Sequence, residues 1–567
     1  MAIAIALSAI CMIGLGAKAV LARASCSNTP VLVTVAVSYD IAPAIQKIAT
    51  TFNNQNVTAD GRCAEIQVNE GSSAAEVSEI DGQASMRGQA AIDAWIPDSS
   101  LWVDVARSYP VGAQDVQPTG KSVAKSPLML VTTPSVAAKT GIFTAPPSWN
   151  LLLPASFGGP PANLGLDVDL PDPTTSATGL ATLIQVSRVL GTGASARAAF
   201  TSFALHAQSS EDFDSPSALQ QFVQTTEPPF DRSAITVASE QAVIAYDRAN
   251  PKAPLDARYP SGTTRSLGTP ALDYPYVLTS SSAATLAAAT DFGNYLQSSY
   301  AKGVIRYYGF RSSDGAADTM PANSGLASQP LQLASAQSAT EAATNLEVWS
   351  KLGLGSRDLV LTDVSPAMNQ PDGQGTQTLE QLLNSASAAG LALFPDGTNM
   401  GLWEMGGADS TLAKPYKSLV SIGPLDTDIG VITRRTQLQQ IEATTVASTR
   451  GSLALNDSIL DAYRQMTATY APSYANAVLV LTAGVDNARG DESLQTLLAQ
   501  LRGLYNPNKK VEVIILMFGT EGNFTAMKEI ADATGGAAYQ VSNPNEIGKI
   551  FIEGVSRRMC DQGCAAP

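Results

Sequence analysis

Histidine and clusters of basic residues are almost absent from this chain. Its 567 residues include one histidine, His206, and 35 lysines and arginines against 50 aspartates and glutamates, a net charge of −15. An acidic surface without a basic run repels nucleic acid, so nucleic-acid binding is set aside. His206 lies in a predicted helix, where a structural role is the simpler interpretation. With no Gly-x-Ser-x-Gly motif and no histidine-containing metal motif, the sequence predicts a non-enzymatic protein.

Charged residues are also scarce, at 15% against 45% hydrophobic residues, a balance typical of globular domains. The length exceeds what one hydrophobic core serves, so we expect two or three domains.

The segment Thr119–Ser122 resembles the end of a phosphate-binding loop. Asp115 stands where that motif needs its first glycine, and we therefore interpret the segment as an ordinary loop.

Charge is missing altogether from Met1–Ala17, which is typical of an export helix. Ala22-Arg23-Ala24 fits the small-x-small rule for signal peptidase, so residues 1–24 are predicted to be a signal peptide and Ser25 the mature terminus. The apolar segment is intermediate in length between a signal-peptide core and a membrane span, which leaves a membrane anchor as the alternative. No later segment is predicted to cross a membrane.

Cysteine is limited to five residues, of which Cys11 lies inside the apolar leader. The other four suggest two pairs close in sequence, Cys26–Cys63 and Cys560–Cys564. Export would place them in an oxidising compartment, which favours disulfides, although other pairings remain open from the sequence.

The first half alternates strand and helix patterns, which predicts βαβ units and sheets covered by helices. Between Arg311 and Gln337, Ser, Gly, Ala and Pro accumulate and indicate a boundary. We predict domains at 25–340 and 341–558, followed by a tail at 559–567. The predicted strands of the first half are Val31–Val37, Ala64–Val68, Ala91–Ile96, Pro127–Thr132 and Tyr274–Leu278.

Four segments carry a family resemblance: Val35–Pro43, Asp93–Ser100, Asp172–Gly179 and Ser239–Ala242. Together, over about residues 30–330, they resemble the class II fold of ABC-type solute-binding proteins. The resemblance implies two lobes and a small solute bound in the cleft between them.

The candidate ligand-binding residues follow from this resemblance and from local chemistry. Hydroxyl residues and a glycine at a helix start present backbone N–H groups to an anion, although an ordinary N-cap has the same pattern. Three further candidates follow predicted strands, where turn chemistry is an equal alternative. Glu240 is expected to repel an anion unless a cation or amine is bound as well, so the identity of the solute stays open. The candidates are Ser38, Asp98, Ser99, Thr174, Thr175, Ser176, Thr178 and Gly179.

The second half contains another α/β run, which predicts a doubly wound sheet. Ligands at such sheets lie beyond the carboxyl ends of the strands, here at the loop Asp363–Met368. The predicted strands are Asp358–Ser365, Met400–Met405, Ala477–Thr482, Val511–Phe518 and Ala537–Val541, and the helices are Leu379–Ala388, Thr436–Thr444, Asp457–Met466, Leu494–Leu504 and Phe524–Thr534.

This run, about residues 345–558, resembles a von Willebrand factor A (VWA) domain. In that family, an Asp-x-Ser-x-Ser loop with a later Thr and Asp holds magnesium, which accepts a partner's carboxylate. Asp363 and Ser365 match the loop, whereas Ala367 and Ala483 replace its second serine and the later Asp. The usual Thr falls at Ser452 or Leu453, and Asp486 could substitute for the missing Asp only if its loop swings. We therefore expect a degenerate site, no bound divalent cation and no other cofactor.

The sequence thus predicts an exported protein of the cell envelope or exterior. Its bilobed domain is expected to bind a small solute and its VWA domain a protein partner, with membrane contact only through the N-terminal segment. The combination resembles an uncharacterised family of bacterial solute-binding/VWA proteins. The alternative is a structural adhesion protein with a vestigial, shallow and apolar cleft.

Overall fold

The computed structural model describes residues 29–59, 61–80, 92–208, 217–230, 232–262, 267–279, 282–318, 320, 325–373 and 377–559. They form two compact units, the first comprising the described residues up to Thr192 and from Phe203 to Trp349. The second contains Gly193–Ser202 and the chain from Ser350 onward. The units therefore divide at Trp349, inside a helix, rather than at residue 340. The leader and Cys11, Cys26, Cys560 and Cys564 lie outside the described residues, so cleavage and both disulfides stay predictions.

The first unit contains twelve strands and shares two of its helices with the second unit, as far as the described residues show. The strands are β1 Val31–Ser38, β2 Thr58–Ala59, β3 Arg62–Gly71, β4 Ala94–Ile96, β5 Gln117–Ser122, β6 Ala124–Thr132, β7 Asp167–Asp169, β8 Ala234–Ser239, β9 Asp256–Arg258, β10 Ala271–Leu272, β11 Pro275–Leu278 and β12 Arg311–Ser312. The helices are α1 Ala42–Asn53, α2 Ser73–Ser78, α3 Ser100–Arg107, α4 Pro110–Asp115, α5 Pro134–Thr140, α6 Ala177–Leu190, α7 Ala194–Gln208, α8 Ala218–Thr226, α9 Glu240–Ala249, α10 Ala283–Tyr295, α11 Ser299–Tyr307 and α12 Ala339–Gly353.

The first sheet of this unit has the order β2-β3-β1-β4-β11-β5. Its central strand β1 is rich in valine and buried except at Leu32, as expected for a strand covered on both faces. Parallel neighbours flank β1, with β3 on one side and β4 on the other. The chain order reverses between β1 and β4, which creates a crevice beyond their carboxyl ends.

The second sheet has the order β10-β6-β8-β7, with β9 and β12 also paired to β6. Two short crossovers join the sheets, Val123 between β5 and β6, and Asp273–Tyr274 between β10 and β11. Because β11 is antiparallel to β4, Tyr274 lies beyond the carboxyl end of β4. β8 is antiparallel to β6 and parallel to β7, so the carboxyl ends of β7 and β8 also lie toward the crossovers. The predicted two-lobed α/β architecture is confirmed.

One local prediction is wrong. Thr119–Ser122 was expected to be a loop, but it belongs to β5, an edge strand paired antiparallel with β11. Gly120 adopts the left-handed conformation (φ +70°), and the segment has little intrinsic strand preference. The pairing with a distant strand decides its structure, as is common for strands.

The second unit contains a six-stranded sheet of order β15-β14-β13-β18-β19-β20, parallel except for the edge strand β15. The order reverses between β13 and β18, and helices cover both faces, so the predicted doubly wound sheet is confirmed. The strands are β13 Gly355–Asp363, β14 Asn399–Met405, β15 Tyr416–Pro424, β16 Asp428–Ile429, β17 Ile432–Thr433, β18 Tyr474–Thr482, β19 Val511–Phe518 and β20 Ala537–Val541. The helices are α13 Leu379–Leu391, α14 Arg434–Thr444, α15 Leu455–Ala468, α16 Leu494–Leu504, α17 Phe524–Asp532 and α18 Ile547–Ser556. Among the described residues, no helix has both the length and the apolar character needed to span a membrane.

A buried ion pair anchors β12 to the start of α9 in the first unit. Arg311 donates to both carboxylate oxygens of Glu240, with Nη2 2.8 Å from Oε2, and also to the carbonyl oxygens of Ala327 and Gln329. Arg311 and Glu240 are 1% and 0% exposed. Removal of the arginine alone would leave an uncompensated buried charge.

We predict that Arg311→Met lowers the free energy of unfolding by about 3–5 kcal/mol, measured by urea denaturation. The double variant with Glu240→Gln should recover part of this loss. Arg306, which pairs with Asp318 at the surface, provides the control, and Arg306→Met should cost no more than about 1 kcal/mol. Equal effects of the two single variants would contradict this account.

Candidate functional site

The crevice beyond β1 and β4 is lined by carboxyl and hydroxyl groups. The Ser38 hydroxyl donates to Asp40 Oδ1 (2.7 Å), and the backbone N–H of Ile41 donates to the same oxygen (2.9 Å). The Tyr274 hydroxyl donates to Asp40 Oδ2. Burial raises the pKa of Asp40, and these hydrogen bonds act in the opposite direction. Asp40 is thus tied to Ser38 on its own lobe and to Tyr274 on the crossover.

Asp98 occupies the matching position after β4 with fewer partners. Its backbone N–H donates to Ser73 Oγ (3.2 Å), but its buried Oδ1 accepts no hydrogen bond from any residue that the structure describes. Burial and, as the next largest cause, the nearby carboxyl of Asp40 together raise the pKa of Asp98 to about 7. An unsatisfied buried acceptor is costly, so this oxygen is available to a donor from outside the chain. Ser99, in contrast, caps α3 by accepting from the Leu101 N–H (3.2 Å).

The sequence did not identify Asp273 and Tyr274 as site residues. Asp273 Oδ1 accepts from the Ser100 N–H (2.7 Å), which ties the crossover to the start of α3. Tyr274 is fully buried, packs edge-on against Phe310 with ring centroids 5.1 Å apart, and has φ +41°. A non-glycine residue in this conformation costs about 1–3 kcal/mol and is typical of functional sites. Its only sequence signal was the strand that begins beside it.

The remaining candidate residues lie at the start of α6. Ser176 is its N-cap and accepts from the Gly179 N–H (3.3 Å), while Asp172 Oδ1 accepts from the Thr174 N–H (2.9 Å). Thr174 and Thr175 are exposed, and Thr178 is half-buried. Gly179 has a packing role, because a Cβ there would lie 2.0 Å from the Pro171 carbonyl oxygen. The N-cap interpretation therefore applies to Ser176, and the exposed hydroxyls at the helix start remain candidate ligand contacts.

The expectation that Glu240 repels an anion is wrong. Its carboxylate is bound by Arg311 and by the hydroxyl of Tyr259, and it is fully buried. The compensating arginine is distant in sequence, which is why the local pattern suggested an uncompensated charge.

In the second unit, the corresponding crevice lies beyond β13 and β18 and is filled by the chain itself. Asp363 is 1% exposed and accepts three hydrogen bonds, from the Ser365 N–H (2.8 Å), the Thr482 hydroxyl (2.8 Å) and the Ala483 N–H (3.1 Å). Thr482, which the sequence did not single out, in turn accepts from the Gly484 N–H (2.9 Å). Both oxygens of the Asp363 carboxylate thus have partners within the chain.

These residues fit a magnesium ion poorly. Magnesium requires about six oxygen ligands in octahedral geometry, and Ala367 and Ala483 supply no side-chain oxygen. Ser365 Oγ is buried without a hydrogen-bond partner among the described residues. Of the two serine positions in the loop, only Ser365 therefore has a hydroxyl that an ion could use. The Asp486 carboxylate accepts from Asn456 Nδ2 (3.2 Å) at the start of α15. Within the described part of the chain, no group of three or more His, Cys, Asp and Glu side chains is arranged to hold a metal ion.

A large part of the first unit matches a known protein family. Residues 33–311 match the family of bacterial extracellular solute-binding proteins. The match covers just under half of the chain and includes Ser38, Asp98, the start of α6 and Arg311.

Two uncharacterized proteins of Mycobacterium tuberculosis are each 24% identical over 551 residues, with 92% of this chain and 75% of the relative covered. Solved structures include the sulfate-binding protein SubI of M. tuberculosis (18% identity, TM-score 0.35, 50% of this chain and 87% of that chain). Iron-bound HitA of Pseudomonas aeruginosa also matches, with 15% identity and a TM-score of 0.39 over 57% of this chain and 100% of that chain. A von Willebrand factor type A protein of Catenulispora acidiphila matches with 15% identity and a TM-score of 0.27, over 36% of this chain and 43% of that chain. Likenesses this weak identify no ligand or partner.

We predict that Asp363 mainly stabilises the second unit. Asp363→Ala would leave two N–H groups and a hydroxyl without their acceptor, and should lower the free energy of unfolding by about 3 kcal/mol. The exposed Asp409 is the control, since Asp409→Ala should change it by no more than about 0.5 kcal/mol. Calorimetric unfolding without divalent ions measures both, and an Asp363→Ala variant as stable as the control would refute the assignment.

Proposed function

We propose that this chain is an exported, non-enzymatic protein of the cell envelope or exterior that binds a small solute between the lobes of its solute-binding region. The observation that carries the proposal is the unpartnered Oδ1 of Asp98 at the crevice between β1 and β4. The family match supports the class of function, and the carboxyl ends of β1 and β4 in one sheet and of β7 and β8 in the other lie toward the crossovers beside this crevice.

The chemistry of the crevice favours a solute that donates hydrogen bonds. Asp98 offers the bound molecule an acceptor, whereas both oxygens of Asp40 already accept hydrogen bonds from Ser38, Ile41 and Tyr274. Across the crevice, the exposed hydroxyls of Thr174 and Thr175 at the start of α6 offer donors for an acceptor on the same molecule. We therefore expect a polar solute with an amine or hydroxyl group that contacts Asp98.

The unsatisfied carboxyl of Asp98 should lower the stability of the protein and, at the same time, contact the solute. A carboxyl whose pKa is raised in the folded protein holds its proton more tightly there than in the unfolded chain. The contribution of Asp98 to the free energy of unfolding therefore falls as the pH rises from about 4 through about 7. Asp98→Asn should therefore raise the melting temperature at pH 8 relative to wild type, with little change at pH 4. The same variant should lose the solute that copurifies with the wild-type protein, as detected by native mass spectrometry.

Asp115→Asn provides the matched control, because Asp115 is exposed at the end of α4. It should retain the solute and show no pH-dependent gain in stability. If Asp98→Asn retains the solute while Ser38→Ala and Thr174→Ala do so as well, the crevice is not the binding site.

For the second unit we propose contact with a protein partner through the loops beyond β13 and β18, independent of divalent cations. The hydrogen bonds within the chain that occupy Asp363 support this, because a carboxylate already saturated by donors is a poor metal ligand. The contact would then depend on the loop surface around Pro366.

Calorimetric titration of the full chain with magnesium should show no binding in the micromolar range. A micromolar site that disappears in Asp363→Ala would refute the proposal, since it would mean that the loop rearranges around an ion.

A second candidate function is structural adhesion with a vestigial solute cleft. The polar lining of the crevice speaks against it, because a vestigial cleft is expected to be shallow and apolar. A native mass spectrum that shows no copurified solute, together with no ligand-dependent stabilisation in a broad solute screen, would favour it.

A further inference from the structure

A cavity of about 370 Å³ lies in the second unit, between one face of the sheet and the helices α13 and α18. This size is within the range of small-molecule sites. Its rim includes Tyr474, Pro507 and Lys510, at the amino-terminal ends of β18 and β19, and Pro507 is exposed. The cavity is therefore reached from the half of the sheet opposite Asp363 and the partner loops.

Small residues on the two helices create the space. α13 lines the cavity with Ala386, Ser387 and Gly390, and α18 with Gly554. A Cβ at Gly390 would meet only Ile547 Cγ2 at 3.6 Å, and one at Gly554 would meet no atom within 4 Å. As a result, Leu479 and Ile514 on the inner strands β18 and β19 are only half-buried. Inner strands of a doubly wound sheet are normally covered on both faces.

The cavity wall changes from polar to apolar along the strands. Asp358, Ala477 and Glu512 are neighbours in one row across β13, β18 and β19. The next row on the same face is Val360, Leu479 and Ile514, and the row after it includes Leu481 and Leu516. Side chains on one face recur every second residue, so the wall from Glu512 to Phe518 extends about 20 Å at ~3.3 Å per residue. The strand rows of the lining thus run from a polar end near the rim to an apolar interior, while Glu442 on α14 adds a second carboxylate to the lining.

Two carboxylates in the lining, Asp358 and Glu442, each have a buried oxygen without a hydrogen-bond partner among the described residues, and Asp358 is the one at the polar end of the strand rows. Asp358 is 7% exposed, and its Oδ2 accepts no hydrogen bond from the described residues. The nearby cations donate to other groups: Arg558 donates to the Leu354 carbonyl oxygen (2.7 Å) and to Ser356 Oγ (2.6 Å), and Lys510 pairs with Glu512 (2.6 Å). Burial raises the pKa of Asp358 to about 7. A buried carboxylate oxygen without a donor is the feature that a ligand head group would satisfy.

We propose that this cavity binds a single-chain aliphatic molecule whose head group donates hydrogen bonds, an amine or an alcohol, with the head at Asp358 and the chain along Leu479, Ile514 and Leu516. The apolar rows exclude a polar solute, and the unpartnered acceptor disfavours a carboxylate head. This site is independent of the solute crevice in the first unit and of the partner loops.

Titration calorimetry of the full chain at pH 8 with decylamine, decanol and decanoate tests the proposal. These probes share one chain and differ only in the head group. Decylamine and decanol should bind, and decanoate should bind at least about tenfold more weakly, because its charge would face Asp358. The ratio between the two binding probes shows whether a charged or a neutral head is preferred.

Variants assign any binding to the cavity. Gly554→Leu should fill the space and weaken decylamine and decanol about tenfold or more. Gly548→Leu is the matched control, because Gly548 lies in the same helix, is exposed, has open space around its Cβ and does not line the cavity. Both substitutions replace a helical glycine by a better helix former, so neither is expected to unfold the protein. Asp358→Asn should remove the preference over decanoate while chain binding persists.

Three outcomes would overturn the proposal: no binding of decylamine or decanol, equal binding in Gly554→Leu and Gly548→Leu, or tighter binding of decanoate than of decylamine. A loss of binding in Asp98→Asn instead would place these probes in the first unit and would equally exclude the cavity.

Discussion

Parallel strands place all their carboxyl ends at one edge of a sheet, and the rest of this structure depends on where the strand order reverses. In the first unit the reversal falls between β1 and β4, and in the second between β13 and β18. At each reversal the connections leave to opposite sides, so no helix covers the edge and a crevice remains. In the first unit, the crossovers at Val123 and at Asp273–Tyr274 add a second sheet whose carboxyl edge lies toward the same place. The two units therefore have comparable crevices that differ in what fills them.

Hydrogen bonding to one carboxylate in each crevice accounts for that difference. Asp363 has donors from Ser365, Thr482 and Ala483 on both of its oxygens, so the crevice in the second unit is closed by the chain's own atoms. Asp98 has a buried oxygen with no described partner. Saturating a buried carboxylate stabilises a fold, whereas leaving one oxygen unsatisfied costs free energy that a bound donor can recover. The same physical rule thus supports a structural role for Asp363 and a ligand-binding role for Asp98.

Strong local patterns were enough to predict most elements of the sheets. Val511–Phe518 and Ala537–Val541 are strands with the predicted bounds. In Val511–Phe518, a run rich in β-branched residues strongly favours a strand. The edge strands β5 and β15 were not predicted, since their structure depends on pairing with distant strands. At the site, Ser38 and Asp98 could be placed from the strands that precede them. Tyr274 and Arg311 could not, because their importance arises from contacts with Asp40 and Glu240, which are 234 and 71 residues away in the sequence.

The cavity in the second unit shows how packing can create a feature that residue type does not reveal. A helix that reads Ser-Ala-Ser-Ala-Ala-Gly over residues 385–390 has a normal helical composition, and its sequence predicts only that it covers a sheet. Facing half-buried Leu479 and Ile514, however, its small side chains cannot fill the interlayer distance. An apolar void loses dispersion contacts on its walls, and an unsatisfied Asp358 adds a desolvation cost at its end. Both costs fall on one region, and one elongated molecule with an apolar chain and a donor head would remove them together. The closed crevice at Asp363 and the open cavity at Asp358 lie toward opposite ends of the same strand, β13. In this unit, the proposed small-molecule site therefore lies in the amino-terminal half of the sheet, and the proposed protein contact lies at the carboxyl edge.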